Sequence, residues 1–156
     1  MKKIAIFADV QNIYYTTRQA YGRQFNYRKL WQQISEQGEI ILANAYAIDR
    51  SDTAQQKFQT ALEHIGFTIK LKPFIQRSDG SAKGDWDVGI TIDVMDTIDN
   101  VDVIILLSGD GDFDLLMQKA RSKGIQAEAY GVPGLSADSL VRSASIFHTI
   151  DKDLLL

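Results

Sequence analysis

Val101-Asp102-Val103-Ile104-Ile105-Leu106-Leu107-Ser108-Gly109-Asp110-Gly111-Asp112-Phe113 is the stretch on which the fold turns. Its first half, residues 101–107, is the most apolar and β-branched run in the chain. Such a run predicts a central strand covered on both faces. Its second half turns through two glycines into an amphipathic segment, 112–123, which predicts a helix ended by Gly124. A strand leading through a polar turn into a helix is the repeating unit of a parallel α/β sheet.

Outward from this stretch the same alternation recurs. Toward the amino terminus the pattern predicts a strand over 3–8, helices over 11–20 and 27–37, and a strand over 40–48. Ser51 or Asp52 caps a helix running to 65, with Gly66 as its stop; a strand over 67–74, a loop over 76–84 and a helix over 86–98 capped by Asp85 follow. Toward the carboxyl terminus come a strand over 125–131, a short helix over 137–144 and a final edge strand over 146–150. Right-handed crossovers then give a three-layer α/β/α sandwich around a mainly parallel sheet. No linker or repeat interrupts the 156 residues, so 1–156 is expected to be one domain. In sheets of this kind ligands bind outside the carboxyl ends of the strands, where strand order reverses. Polar residues directly after a strand are therefore the site candidates.

Composition narrows the chemistry. There is no cysteine, which excludes disulfides, thiolate zinc sites and a cysteine nucleophile. No apolar run is long enough to cross a bilayer, and the basic opening Met1-Lys2-Lys3 precedes a run too short for a signal peptide. A cytoplasmic location without membrane contact is the expectation. The net charge of -3 gives no global attraction to nucleic acid, so any such binding requires local basic surface.

Asp9 follows the first strand, with Asn12 three residues on at a helix start. Ser108, Gly109, Asp110, Asp112 and Asp114 follow the central strand. If the two strands are neighbours, Asp9, Asp110 and Asp112 converge on one crevice, and Asp87 in the first turn of its helix enters from the side. Singly, Asp85, Asp87 and Asp112 serve equally well as helix caps. Together they require compensation, since two carboxylates repel by about 4 kcal/mol at about 4 Å in an effective dielectric of about 20. Lys83 offsets part of this, and a divalent cation offsets more. Oxygen ligands suit Mg²⁺ or Mn²⁺ over zinc. Such an ion lowers the pKa of bound water and stabilises charge on a phosphoryl group, which fits phosphodiester hydrolysis.

Three pieces of the chain resemble the NYN family of PIN-like nucleases, especially its LabA-like bacterial branch. They are Asp9-x-x-Asn12; Lys83-Gly84-x-x-Asp87 followed by Asp93; and Ser108-Gly109-Asp110-x-Asp112-Phe113. The ordered set, each piece at an element boundary, is more specific than any one piece. The resemblance implies a PIN-like α/β/α fold. It also implies a metal-dependent ribonuclease site carried by Asp9, Asp87, Asp110 and Asp112, with Asn12 beside them. Asp93, six residues past Asp87 on a helix, faces elsewhere and is expected to be structural. Gly111 stands where these proteins often have Ser, and Asp114 is an additional acid that competes with Asp112 for the ligand role.

Residues 10–35 carry four basic and no acidic side chains, Arg18, Arg23, Arg28 and Lys29, interleaved with Tyr14, Tyr15, Tyr21, Phe25, Tyr27 and Trp31. Lys70, Lys72, Arg77 and Lys83 form a second basic stretch. Basic side chains attract phosphates and exposed rings stack unpaired bases, so single-stranded RNA is the expected partner. Arg18, Arg23, Lys83 and Ser108 are the candidate contacts. Phe25, Tyr27 and Trp31 fall at helical spacing and are expected in the core; of Tyr14 and Tyr15, one is expected buried and one exposed. Trp86 is expected to pack its helix start on the sheet. The 131–136 loop is expected to border the crevice, with Ser136 capping the next helix. Leu154-Leu155-Leu156 packs either on a partner or on the chain's own core.

Two rivals compete with the nuclease. Gly109-Asp110-x-x-x-Asp114 resembles the late acidic motif of haloacid dehalogenase-type phosphatases, which need a second aspartate two residues after the first-strand nucleophile. Here Asp9 is followed by Val10 and Gln11, so that motif fails. The other rival is a regulatory module of the same fold that holds RNA or a nucleotide without cutting it. Neither His64 nor His148 lies near a predicted site residue, which disfavours a histidine-based triad or metal site.

Overall fold

The computed structural model describes residues 1–73, 75–76, 82–83 and 85–156, with only the backbone of 75, 76, 82 and 83. The chain runs β1 (Lys3–Asp9), α1 (Val10–Tyr21), α2 (Tyr27–Ser35), β2 (Glu39–Asp49), α3 (Thr53–Ile65) and β3 (Thr68–Pro73). It continues β4 (Ile75–Gln76), β5 (Ala82–Lys83), α4 (Asp87–Thr97), β6 (Val103–Leu107), α5 (Asp114–Ser122), β7 (Gln126–Gly131), α6 (Asp138–Ser143) and β8 (Ile146–Thr149). Every residue of β6 is buried, as the unbroken apolar run requires of a strand covered on both faces.

Six strands form one sheet in the order β3-β2-β1-β6-β7-β8, and every pairing is parallel. The chain builds outward from β1 to β3, returns across the sheet to β6, and builds outward the other way. Right-handed crossovers in opposite directions place helices on opposite faces. Ile4, Ile6 and Ala8 pack with Ile13, Leu30 and Leu62 on one face. Ala5 and Phe7 pack with Ile90, Val94, Met117 and Leu140 on the other. This is the expected α/β/α sandwich, with its reversal point between β1 and β6. Strand alternation carries Asp9 to the same face as Ala5 and Phe7, which is the face covered by α4.

Local differences from the sequence reading have local causes. The expected loop over 76–84 contains a short antiparallel pair, β4 with β5; two-residue strands are too short to show any periodicity. α4 begins at Asp87 with Trp86 in the cap position, and Asp85 accepts a hydrogen bond from the Asp87 N–H at 3.3 Å from just outside the helix. Trp86 does hold that start against the sheet: its Nε1–H donates to the Ala47 carbonyl at 2.9 Å, and its ring lies 5.3 Å from Tyr46 and under the Lys72 ammonium at 4.5 Å. A Cβ on Gly89 would fall 2.5 Å from that ring, so glycine is required there. The segment after β6 makes a 3₁₀ turn over Gly111–Phe113 before α5 starts at Asp114. Leu154 and Leu155 are buried in the chain's own core, Leu155 bridging Phe25, while Leu156 is exposed. Among the described residues no helix is long and apolar enough to cross a membrane.

Asp93 anchors α4 to the sheet. Its Oδ2 accepts hydrogen bonds from Tyr46 Oη and Lys70 Nζ, each at 2.7 Å, and Asn44 Nδ2 donates to the same tyrosine oxygen at 3.1 Å. Burial raises the Asp93 carboxyl's pKa, but the bonds from Lys70 and Tyr46 and the lysine charge outweigh it and hold the acid below its ordinary value. The expected structural role of Asp93 is thus met by β2 and β3. Removing an acceptor from a buried hydroxyl costs about 1–3 kcal/mol. Asp93→Ala should lower the urea midpoint accordingly, and Tyr46→Phe, which leaves the Lys70 pair intact, should cost less. Unchanged unfolding of Asp93→Ala would show that this anchor contributes nothing.

Candidate metal centre

Ala8 lies opposite Leu107 in the β1–β6 pairing, so the residues following each strand emerge side by side. Ser108 Oγ donates to Asp9 Oδ2 at 3.1 Å. Asp9 also caps α1, its Oδ1 accepting from the Asn12 N–H at 3.4 Å. The Asn12 Oδ1 in turn accepts from the Gly109 N–H at 2.9 Å. Ser108 Oγ accepts from the Asp110 N–H at 3.1 Å, and Asp110 Oδ1 from the Asp112 N–H at 2.9 Å. One polar chain therefore stitches the end of β1, the first turn of α1 and the loop after β6 into a single unit.

α4 brings Asp87 to this unit. Asp87, Asp110 and Asp112 each offer a carboxylate oxygen, and the three oxygens lie within 4.8 Å of one another. Asp87 and Asp110 are half-buried and Asp112 is exposed, so the cluster opens to solvent. Asp9 sits beside it, only 9% exposed, its charge felt by Asp87. Asp114 is outside this set; its Oδ1 accepts from the Leu115 N–H at the start of α5. Between the two competing acids, Asp112 is the one gathered with Asp87 and Asp110.

The other candidates divide. Ser108 is fully buried and bonded to Asp9 and to the Asp110 N–H, so it organises the loop and is not a surface contact as expected. Arg23 is also reassigned: its guanidinium donates to the Leu156 carbonyl at 2.7 Å and the Leu155 carbonyl at 3.5 Å, beyond the far end of α1 from Asp9. Arg18 remains on exposed surface of α1. The Lys83 side chain lies outside the described residues, as do Arg77, Asp79 and Gly84. The 131–136 loop does border the site. A Cβ on Gly109 would meet Ser136 Oγ at 2.8 Å and the Leu135 carbonyl oxygen at 2.9 Å, and the Ala137 N–H donates to the Gly109 carbonyl at 3.0 Å. Ser136 does not cap α6; its hydroxyl donates to the Val132 carbonyl at 2.9 Å. Sequence reasoning credited Gly109 with turn-making only; close packing of a distant loop leaves no signal in a single sequence.

Among the described residues no lysine or arginine forms an ion pair with Asp9, Asp87, Asp110 or Asp112. Part of the compensation comes from helix ends. Asp9 caps α1, Asp87 opens α4 and Asp110 caps the turn into α5, so positive dipole ends face the acids. Protons supply another part. Burial, with the nearby Asp110 and Asp85 charges, raises the Asp9 carboxyl to about 6 despite the bonds from Asn12 and Ser108. Burial, then the charge of Asp110 and a hydrogen bond to it, raises Asp87 further, to about 8. Carboxylates that hold protons near neutrality have the electrostatic demand of a cation site. The all-oxygen donor set fits a hard divalent ion.

The NYN domain family matches residues 3–151. Low amplitude and bright protein LabA of Synechococcus elongatus is 32% identical in an alignment of 146 residues that covers 88% of this chain and 78% of that protein. The crystal structure of a Vibrio parahaemolyticus protein of unknown function superimposes with a TM-score of 0.94 at 47% identity, covering 99% of this chain and 96% of the other.

Because Asp9 and Asp87 hold their protons more tightly when folded than at their ordinary value of 3.8, the folded state binds more protons than the unfolded chain above about pH 4. This stabilisation is complete below that pH and is lost as pH rises through about 6 for Asp9 and about 8 for Asp87. Without metal, the melting temperature should therefore fall between pH 5 and pH 8 more in wild type than in Asp87→Asn. Mn²⁺ should raise it most at the alkaline end, where fewer protons must be displaced. Calorimetry across this range checks both; a Mn²⁺ response independent of pH and of Asp87 would count against a shared cation.

Proposed function

This chain belongs to the NYN domain family, and from that footing we propose that it hydrolyses RNA phosphodiester bonds at the Asp87–Asp110–Asp112 cluster with Mg²⁺ or Mn²⁺. The observation that carries the reading is the convergence of three carboxylates from two separate segments within 4.8 Å at the sheet's reversal point. Asp87, Asp110 and Asp112 would hold the cation, with Asp9 as the adjoining buried acid. Bound there, it would lower the pKa of a water and stabilise charge on the phosphoryl and leaving oxygens.

The chain's own residues prepare the rest. Asp9 and Ser108 fix the loop that carries Asp110, through the bond from Ser108 Oγ to Asp9 Oδ2. Asn12 fixes the same loop through Gly109, and its Nδ2 group donates no hydrogen bond among the described residues. That amide is a neutral donor for a phosphate oxygen and adds no charge to an already acidic crevice. Asp112 is exposed, so the cluster meets solvent at that edge, where a polymeric substrate would approach. Arg18 supplies local positive charge on α1, which a chain of net charge -3 needs for an anionic substrate.

The test is incubation of the purified protein with end-labelled single-stranded RNA and Mn²⁺ or Mg²⁺. Wild type should cleave, chelation should abolish cleavage, and Asp110→Asn should slow it on the order of 100-fold. Asn12→Ala, which frees the Gly109 amide, should cost about tenfold to 100-fold. RNA bound but left intact by wild type in both metals would overturn the nuclease reading in favour of a binding module.

A further inference from the structure

Resting on the RNA reading above, we infer that the solvent face of α1 carries a base-stacking subsite, with Tyr15 as the platform for an unpaired base and Arg18, braced by Tyr14, as its phosphate contact. The starting observation is exposure. Among the described aromatic residues only Tyr14 and Tyr15 are exposed, at 42% and 50%. One of them was expected to be buried, but Val10, Ile13 and Thr17 occupy the whole core-facing side of α1. Two neighbouring rings left half in solvent present both a flat apolar face and a polar tip, the combination that is common where a side chain meets a ligand.

Position ties the pair to the cluster. Tyr15 lies three residues after Asn12, and residues three apart on a helix are side-by-side neighbours. Asn12 itself bonds the Gly109 amide beside Asp110. The helical rise places Tyr15 roughly 9 Å along the axis from Asp9. A strand that leaves the cluster along α1 would therefore meet Tyr15 on the turn that follows Asn12. The rings stand edge to face, 5.4 Å apart at 75°, so Tyr14 supports the Tyr15 ring and cannot stack with it. Arg18 sits one turn on: its guanidinium lies 5.7 Å from the Tyr14 ring centre and its Nη1–H donates to the Tyr14 hydroxyl. No acidic residue lies between 10 and 35 to compete for that charge.

This arrangement selects its occupant. A duplex keeps its bases stacked on one another and offers no free face, whereas a single strand does, and stacking on an aromatic ring tolerates any base. Charge complementarity favours a polyanion over an apolar peptide on the same face. The subsite would thus make unpaired RNA, of no fixed sequence, the substrate class presented to the aspartates.

Fluorescence anisotropy with a labelled single-stranded RNA and with its duplex form, in chelator so that nothing is cut, tests this. Tyr15→Ala should weaken single-strand binding about tenfold or more, Tyr15→Trp should retain it, and duplex binding should be unaffected by either. Arg18→Ala should weaken binding and flatten its salt dependence. An equal loss for single strand and duplex, no loss in Tyr15→Ala, or no binding of single-stranded RNA by wild type would each overturn the subsite. Failure of the nuclease reading looks different: binding that depends on Tyr15, with intact RNA when Mn²⁺ is restored.

Discussion

The parallel pairing of β1 with β6 is the constraint from which the rest of the molecule follows. These strands are distant in sequence, and their connections leave toward opposite faces of the sheet. A gap therefore opens above their carboxyl ends that no crossover helix can fill. What stands at those ends, Asp9 and Ser108, is decided by where the two apolar runs stop. The sheet buries Asp9 beside Ser108, and a buried carboxylate must be satisfied. The serine hydroxyl and the Asn12 amide N–H satisfy it. That need propagates: Ser108 also takes the Asp110 amide, and Asn12 takes the Gly109 amide. The loop that presents Asp110 and Asp112 is thus shaped from below by the requirements of one buried acid.

Much of this was legible in the sequence because its signals were local. The apolar run ending at Leu107 marked β6, and the rule that sites lie just past strand ends selected Asp9 and the 108–114 segment. Asp87 was harder. Its own neighbourhood reads equally well as a helix start, and the resemblance of the ordered motif set strengthened its placement beside Asp110. What escaped depended on contacts between distant parts. Ser108 looked like a surface contact because its burial comes from strands and loops far along the chain. Arg23 looked like an RNA contact because nothing in a sequence shows carbonyls at the other terminus waiting for it. The misjudged burial of Tyr14 and Tyr15 has a simpler cause. Successive helical residues are about 100° apart, and a core-facing stripe defined by Val10, Ile13 and Thr17 leaves both on the solvent side.

Buried charge elsewhere in the fold is treated differently, and the contrast clarifies the cluster. Glu128 on β7 is only 3% exposed, yet it is bonded by His148 at 2.6 Å and by Gln126, and these partners hold its carboxyl below the ordinary value. Asp93 is lowered likewise by Lys70 and Tyr46. Both acids are paired, and both serve the architecture. Asp9 and Asp87 alone among the titrating aspartates described are displaced upward, because burial disfavours their charged forms and the acids beside them add to it rather than offset it. The fold evidently has the means to neutralise an acid where structure is the purpose.

The two behaviours meet on one helix. Asp87 and Asp93 both belong to α4, six residues apart, and a helix turns through most of two revolutions between them. Asp93 is tied to β2 and β3 through Tyr46 and Lys70, while Trp86 ties the helix start to β2 through the Ala47 carbonyl. These attachments fix both the rotation and the axial position of α4. With those fixed, Asp87 has little freedom in where its carboxylate falls, and it falls beside Asp110. Once Asp87 gives up its proton, repulsion would drive an untethered helix away from the cluster. The anchors supply the opposing force, so the sheet holds in place a carboxylate that its nearest neighbours would expel. A cation at the cluster would turn that held repulsion into attraction without moving α4, which is the preorganisation a hydrolytic site requires.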